Sequence, residues 1–348
     1  MEPRAFAQDD GRWKNRTRIV ESYDFTRLRP LLTAEAGDEI LKGLSQKQRD
    51  ELDDLQKRLR SGRSIDWDLL MPLLQLPHND QEYQAPTSEH GTHVAGILAG
   101  DWRTQDPQMP EKHDLRGVCP ALELFDLRVI DTEMGCDEFT VIAALQFVRF
   151  LNSQADQPVV HGVNISISMA CSPDNYACGR TPICDECERL VNNGVVVVVA
   201  AGNAGYQQYL AVQPGAGFQD ITITDPGNAD AVITVGSTHR VHPHTYGVSY
   251  FSSRGPTADG RRKPDLVAPG EKVVAPVPGC GCKALDGTSM AAPHVSGAAA
   301  ALMARYSELI GQPGRIKRIL MDTATDLGRD HYFQGAGLVD LFRALQSI

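Results

Sequence analysis

Four short apolar runs dictate most of what this chain can become: "LELFDLRVI" (122–130), "GVNISIS" (162–168), "GVVVVVAAG" (194–202) and "AVITVGS" (231–237). Each has the length and bounds of a buried parallel strand. "DEFTVIAALQFVRFLNSQ" and "CDECERLVNNG" between them carry helical patterns. Strands alternating with helices predict an α/β chain: a mainly parallel sheet with helices on both faces, three layers in all. Binding sites in such sheets gather at the carboxyl ends of the strands. No internal repeat or low-complexity segment competes with this plan. At 348 residues, 42% hydrophobic and 22% charged, the chain can bury a substantial core.

The same numbers exclude several partners. A net charge of −10 offers no basic face for nucleic acid. No apolar run reaches the length of a membrane span. Met1 to Arg18 is polar and mixed in charge, so it does not read as a signal peptide. As written, the expected product is cytoplasmic; secretion is the expectation if the N-terminus is incomplete.

Residues 1–89 have another character. "TAEAGDEILKGLSQKQRDELDDLQKRLRSG" places Ile40, Leu41, Leu44, Leu52, Leu55 and Leu59 at helical spacing among dense charges, with Gly62 just past the end. The spacing predicts a solvated surface helix on an insertion at about 33–62, a coiled-coil face being the other reading. The chain then divides into an N-terminal part, 1–89, and a core, 90–348.

Three stretches of that core carry chemistry. In "LDGTSMAAPHVSGAAAAL", Ser289 stands between a glycine turn and a helix of small residues. A nucleophilic serine needs an exposed hydroxyl and free N–H donors for an oxyanion, and a helix start supplies both. Alone, the stretch also fits a capping serine on a packed helix. In "SEHGTHVAGILAG", His90 opens a second helix, as a general base or as a cap. In "VVVVVAAGNAG", Asn203 comes after a buried strand, as an oxyanion donor or as a turn residue.

Taken together and in this order, the three stretches resemble the subtilisin-like serine peptidases. His90 to Gly96 matches the family's His-Gly-Thr-His-Val-Ala-Gly, Ala200 to Asn203 its Ala-Ala-Gly-Asn, and Gly287 to Val295 its Gly-Thr-Ser-Met-Ala-x-Pro-His-Val. "YFSSRGPTADGRRKPDLVAPGEKV" and "GAGLVDLFRAL" extend the likeness over 90–348. The resemblance implies a subtilisin-like fold and peptide hydrolysis through an acyl-enzyme on Ser289. It implies His90 as base and Asn203 as oxyanion donor, with His93 and His294 as packing histidines. It also implies a peptide cleft at Ser166, Ile167 and Ser168, beside Gly202, with Ser168 where the family has glycine. Calcium is common in the family, but no ligand set here is assigned, and no cofactor is called for.

One member of the triad is missing. The family's aspartate precedes its histidine, ending a strand like Val-Ile-Asp-Thr-Gly. Val129-Ile130-Asp131-Thr132 matches in letters but comes after His90 and lacks the glycine, so Asp131 reads as a decoy on the next strand. "MEPRAFAQDDGRWKNRTRIVESYDF" resembles the family's stretch beyond its aspartate: the tail of a short phrase, then a strand and Tyr-Asp-Phe. That places the acid and its strand upstream of Met1 or on a second chain. Asp9, Asp10, Asp24, Asp66 and Asp80 remain nominal substitutes. Losing the acid alone costs on the order of 10⁴ in turnover, a figure drawn from this family's own triad. Three readings therefore stand: a serine endopeptidase, a catalytically impaired peptide-binding or scaffold protein, and an esterase confined to activated esters.

Of eight cysteines, Cys171, Cys178, Cys184 and Cys187 cluster, and the resemblance puts them on a loop beside the cleft. Cys184-x-x-Cys187 has zinc-like spacing, but there is no second pair; free thiols or a loop-pinning disulfide are favoured. Cys280 and Cys282 stand too close for an easy mutual bond.

Overall fold

The computed structural model describes residues 6–8, 16–35, 37–77, 83–103, 114–130, 135–169, 173–207, 217–279 and 281–348. Its two larger sheets are built from β1 (Ile19–Asp24), β2 (Gln75–Leu76), β3 (Leu124–Arg128), β4 (Gly162–Ile165), β5 (Val196–Ala200), β6 (Ile233–His239) and β7 (Leu266–Glu271). A hairpin, β8 (Val273–Val277) and β9 (Gly281–Leu285), comes after them. The helices that frame the sheets are α1 (Leu28–Thr33), α2 (Gln46–Arg60), α3 (Trp67–Leu74), α4 (His90–Ala99), α5 (Glu138–Ser153), α6 (Pro182–Asn192), α7 (Thr288–Arg305) and α8 (Pro313–Asp322).

The valine run decides the layering. Side chains alternate along a strand, so β5 needs apolar cover on both faces. Val196, Val198 and Ala200 pack with Ala291, Val295, Ala298 and Leu302 of α7 and Leu320 of α8. Val197 and Val199 pack with Val141 and Leu145 of α5 and Ile183 and Leu190 of α6. Its neighbours are parallel on both edges, Val197 opposite Val163 of β4 and Val198 opposite Ile233 of β6. The order β7-β6-β5-β4, helices on both faces, is the α/β plan expected from the four apolar runs.

The charged N-terminal segment forms its helix over part of the expected stretch. Gly43 has φ +90°, a left-handed turn, and Ser45 then starts α2 with a capping box. Its hydroxyl accepts from the Gln48 N–H at 3.3 Å while Gln48 Oε1 accepts from the Ser45 N–H at 2.9 Å. The helix is therefore 46–60. It is also more than a solvated cover: Leu52 and Leu55 are buried with Phe25, Trp67 and Leu70, and with Phe147 of α5. The N-terminal helices thus share a hydrophobic cluster with a helix of the core.

Among the described residues no strand joins β3 to β4. β3 pairs with β1 in parallel, and β1 pairs with β2 antiparallel, forming a separate three-stranded sheet. Both β3 and β4 lie under α5: Phe125 and Leu127 from one and Val163 from the other pack against the cluster holding Val141, Leu145 and Val148. Among the described residues no strand pairs with the outer edge of either. No residue of β3 is buried, whereas all five of β5 are. An open edge on each side of one shared helix is what a sheet lacking a central strand presents.

Candidate active site

The serine turn is shaped by its glycine. Gly287 caps α7 with φ +151° and ψ 156°, backbone that a side chain disfavours, and this puts Ser289 at the second helical position. The first N–H groups of a helix have no partner within it and carry its positive dipole end. In this structure the Ser289 hydroxyl donates to the Ser166 carbonyl at 3.1 Å, and the Ser166 hydroxyl donates back to the Ser289 carbonyl at 2.9 Å. Two more bonds extend this polar seam: Asn164 Nδ2 donates to Ser166 Oγ, and Ser296 Oγ to Asn164 Oδ1, both at 2.9 Å. The seam fastens β4 to α7 and holds the nucleophile candidate in a parked rotamer.

Asn203 is aimed by a residue that sequence reading passed over. Thr288, fully buried, donates its N–H (2.9 Å) and its hydroxyl (3.0 Å) to Asn203 Oδ1 and accepts the Gly202 N–H at 3.1 Å. With its carbonyl held twice, the amide can present only Nδ2 outward. That nitrogen lies 3.5 Å from where a Cβ on Gly287 would stand and has no protein partner among the described residues. An exposed amide donor beside a helix N-terminus is the geometry of an oxyanion hole. The threonine between the glycine and the serine was the available signal. The Gly202 carbonyl accepts the Ser253 N–H at 2.9 Å.

His90 opens α4. That helix packs on α7, with Val94 and Ile97 sharing a cluster with Met290. Burial first, then the neighbouring His93, holds the His90 imidazole below its ordinary pKa, so it is neutral at pH 7. No described group hydrogen-bonds its ring, and no described carboxylate counters the shift. Glu89 next to it turns away to Lys283. Asp24 caps the turn after β1, accepting the Thr26 N–H, and Asp66 pairs with Arg58 at 3.4 Å. Asp9, Asp10, Asp80 and Asp131 lie outside the described residues.

The other two histidines are pinned by backbone. His93 is fully buried, its Nε2 3.0 Å from the Val273 carbonyl and 2.9 Å from that of Lys283, which ties α4 to the β8–β9 hairpin. His294 Nδ1 bonds the Met290 carbonyl at 2.9 Å, and burial lowers its pKa to about 4. Ile167 packs into the core below the cleft, and Ser168 is exposed. Met169 bridges Asp225 through both backbone groups, at 2.9 and 3.2 Å.

The loop placement expected for the cysteine cluster needs correction at Cys184 and Cys187, whereas free thiols were among the favoured states. Cys184 and Cys187 lie on α6, buried in the sheet–helix interface, and are free thiols. Burial lifts Cys184 to about 12 and Cys187 well above the ordinary range, so neither is a ready thiolate. Periodicity had already put them on a helix, and Ile183 and Leu190 face the same core. Cys171 and Cys280 lie outside the described residues. Among those described, no three His, Cys, Asp or Glu residues converge as a metal site. No described helix is long and apolar enough to cross a membrane.

Comparison with known proteins identifies the family. The subtilase family profile matches residues 76–338. Subtilisin DY of Bacillus licheniformis is 29% identical over 76% of this chain and 81% of its own length. Pyrolysin of Pyrococcus furiosus is 30% identical over 73% of this chain, which spans only 21% of that protein. Among solved structures, the prenylagaramide maturation protease PagA aligns over 74% of this chain and 82% of its own, with TM-score 0.55 and 21% identity. A mutant of the PatA protease domain aligns with TM-score 0.56 and 23% identity, covering 76% and 82%. These two likenesses concern the fold. With the profile covering most of the chain, the chain belongs to the subtilase family.

Proposed function

We propose that the protein is a serine endopeptidase that cleaves peptide bonds through an acyl-enzyme on Ser289. The observation that carries this reading is the Thr288–Asn203 lock, which leaves an amide donor and a helix N-terminus free beside the serine hydroxyl. A substrate strand laid along Ser166, Ile167 and Ser168 brings its carbonyl to that point. Ser289 Oγ then leaves the Ser166 carbonyl, gives its proton to neutral His90 and bonds the carbonyl carbon. Asn203 Nδ2 and the Ser289 N–H receive the oxyanion. His90 returns the proton to the leaving amine, and water repeats the sequence to free the acid.

Full activity in this reading needs a carboxylate to orient His90 and stabilise its charged form. The open register between β3 and β4 suits the strand that would bring one. It comes from residues outside those described or from a second chain. Until that strand is in place, the second reading, an impaired peptide-binding protein, has the bare His90 ring in its favour.

A fluorophosphonate probe separates the two. Ser289 should label faster than an ordinary serine, and Ser289→Ala should not label at all. A folded protein that labels no faster than an ordinary serine leaves the peptide-binding reading.

A further inference from the structure

On the far side of Asn203 from Ser166 lies a cavity of about 590 Å³ over the ends of β6 and β7. The sheet order fixes this placement: Ser166 comes after β4, Asn203 after β5, His239 ends β6 and Glu271 ends β7. Lys272, on its rim, donates its N–H to Asp286 Oδ1 at 2.6 Å, three residues before Ser289. For a peptide that lies on Ser166–Ser168 with its carbonyl at Asn203, this cavity stands on the opposite side of Asn203 from Ser166, where the leaving-group portion would run.

The walls are unusual for solvent-facing surface. Phe218, Tyr246 and Tyr250 line the cavity and are each more than 60% exposed, a cluster of open aromatic surface of the kind that marks binding sites. Its floor holds Arg254, only 7% exposed. The guanidinium is clamped between the rings of Phe218 and Phe333, at 4.4 and 4.3 Å from their centroids. Its Nε is buried without a hydrogen-bond partner, and among the described residues no carboxylate stands within ion-pair distance of it. Glu271 also lines the cavity yet does not pair with Arg254. Burial outweighs the pull of nearby Asp220 and lowers the Arg254 pKa from its ordinary value. A buried cation is ordinarily paired, because leaving it alone is costly. Here the ring faces hold it in place and leave its hydrogen-bonding edge unused.

We propose that this cavity binds a carboxylate neighboured by an apolar or aromatic side chain on the leaving-group side of the peptide, with Arg254 as its anion partner. The assignment rests on reading Ser289 as the nucleophile of a peptidase. A planar guanidinium fits a carboxylate in two parallel hydrogen bonds, and Phe218, Tyr246 and Tyr250 cover the neighbouring side chain. The carboxylate can be the free C-terminus of a short substrate or the side chain of Asp or Glu, and the chemistry is shared.

The test measures binding on Ser289→Ala protein, so that it is independent of whether Ser289 turns over. Three acetylated phenylalanine-containing peptides are compared by calorimetry: one with a free C-terminal carboxylate, the same peptide as its amide, and an amide with aspartate beside the phenylalanine. Either carboxylate peptide should bind roughly 10- to 100-fold more tightly than the neutral amide, the range of a charge-assisted hydrogen bond. The arm that gains names the source. Arg254→Met, which preserves the packing between the rings, should erase the gain; Tyr246→Ala should weaken all three peptides alike. Equal binding of the acid and amide peptides to the unaltered floor overturns the proposal, and so does a gain that survives in folded Arg254→Met.

Discussion

β5 and β3 are both five-residue strands with parallel partners, each packed against α5, yet they live in different solvents. β5 is bonded on both edges and buried along its length. Among the described strands β3 is bonded to β1 alone, and its Asp126 and Arg128 pair at 3.0 Å in a partly exposed setting. The letters "VVVVA" and "LFDLR" register part of this contrast. Neighbours supply the rest: a strand is buried when both edges and both faces are taken, and β3 lacks a partner on one edge. Catalysis meets the same boundary. Everything fastened to the closed side of the sheet (Ser289, Thr288, Asn203) is positioned by named hydrogen bonds, whereas His90 has none on its ring.

The largest effect separating the two regions should come from charge. Val198→Asp places an unpaired carboxylate between β5 and α7, and should cost more than about 4 kcal/mol, enough to abolish cooperative unfolding at 25 °C. Leu127→Asp on β3 should cost about 2 kcal/mol or less, because water reaches that strand. Urea unfolding followed by circular dichroism compares them, and equal losses would erase the distinction.

Next in size is Asn203, the proposed oxyanion donor. Asn203→Ala should slow fluorophosphonate labelling of Ser289 by about 10²–10³-fold, a range that comes from the subtilisins themselves. Thr288→Val leaves the amide free to rotate and should cost roughly 10-fold, with Asn203 still present. An unchanged rate in Thr288→Val would show that the lock is not what aims the amide.

A smaller effect concerns pH. His294 has a folded pKa of about 4 against an ordinary value of 6.5, so the unfolded chain binds a proton that the folded one refuses. Its contribution is whole above about pH 6.5 and is lost as pH falls toward 4, up to about 2–3 kcal/mol. His294→Gln should flatten that part of the stability profile, measured by thermal unfolding between pH 4 and 7. His90 has the same sign, and a carboxylate placed beside it would raise its pKa.

Much of the closed region could be read from letters because it obeys local rules. The four apolar runs became β3 to β6, and Gly287 and Ser289 became a turn and a helix start, since chain geometry alone requires them. The likeness to Tyr-Asp-Phe also implied the strand that ends at Asp24. The features that were not legible depend on partners distant in sequence. The cover that Leu52 and Leu55 give to Phe147, the grip of Thr288 on Asn203 and the ring clamp on Arg254 are contacts between segments far apart. Cys184 and Cys187 were placed on a loop by the resemblance, when the helical period of the same stretch already buried them. The expectation of an aspartate beyond the given motifs came from a gap in a pattern of letters; that no described strand joins β3 to β4 could be seen only in the fold.

Amide hydrogen exchange across the sheet, on the protein as it stands, tests the open register most directly. β5 amides should exchange only through global unfolding, while amides on the outer edges of β3 and β4 should exchange orders of magnitude faster. Protection of those edges equal to that of β5 would mean the register is already filled, and an open sheet with an unsupported His90 would be the wrong picture of this molecule.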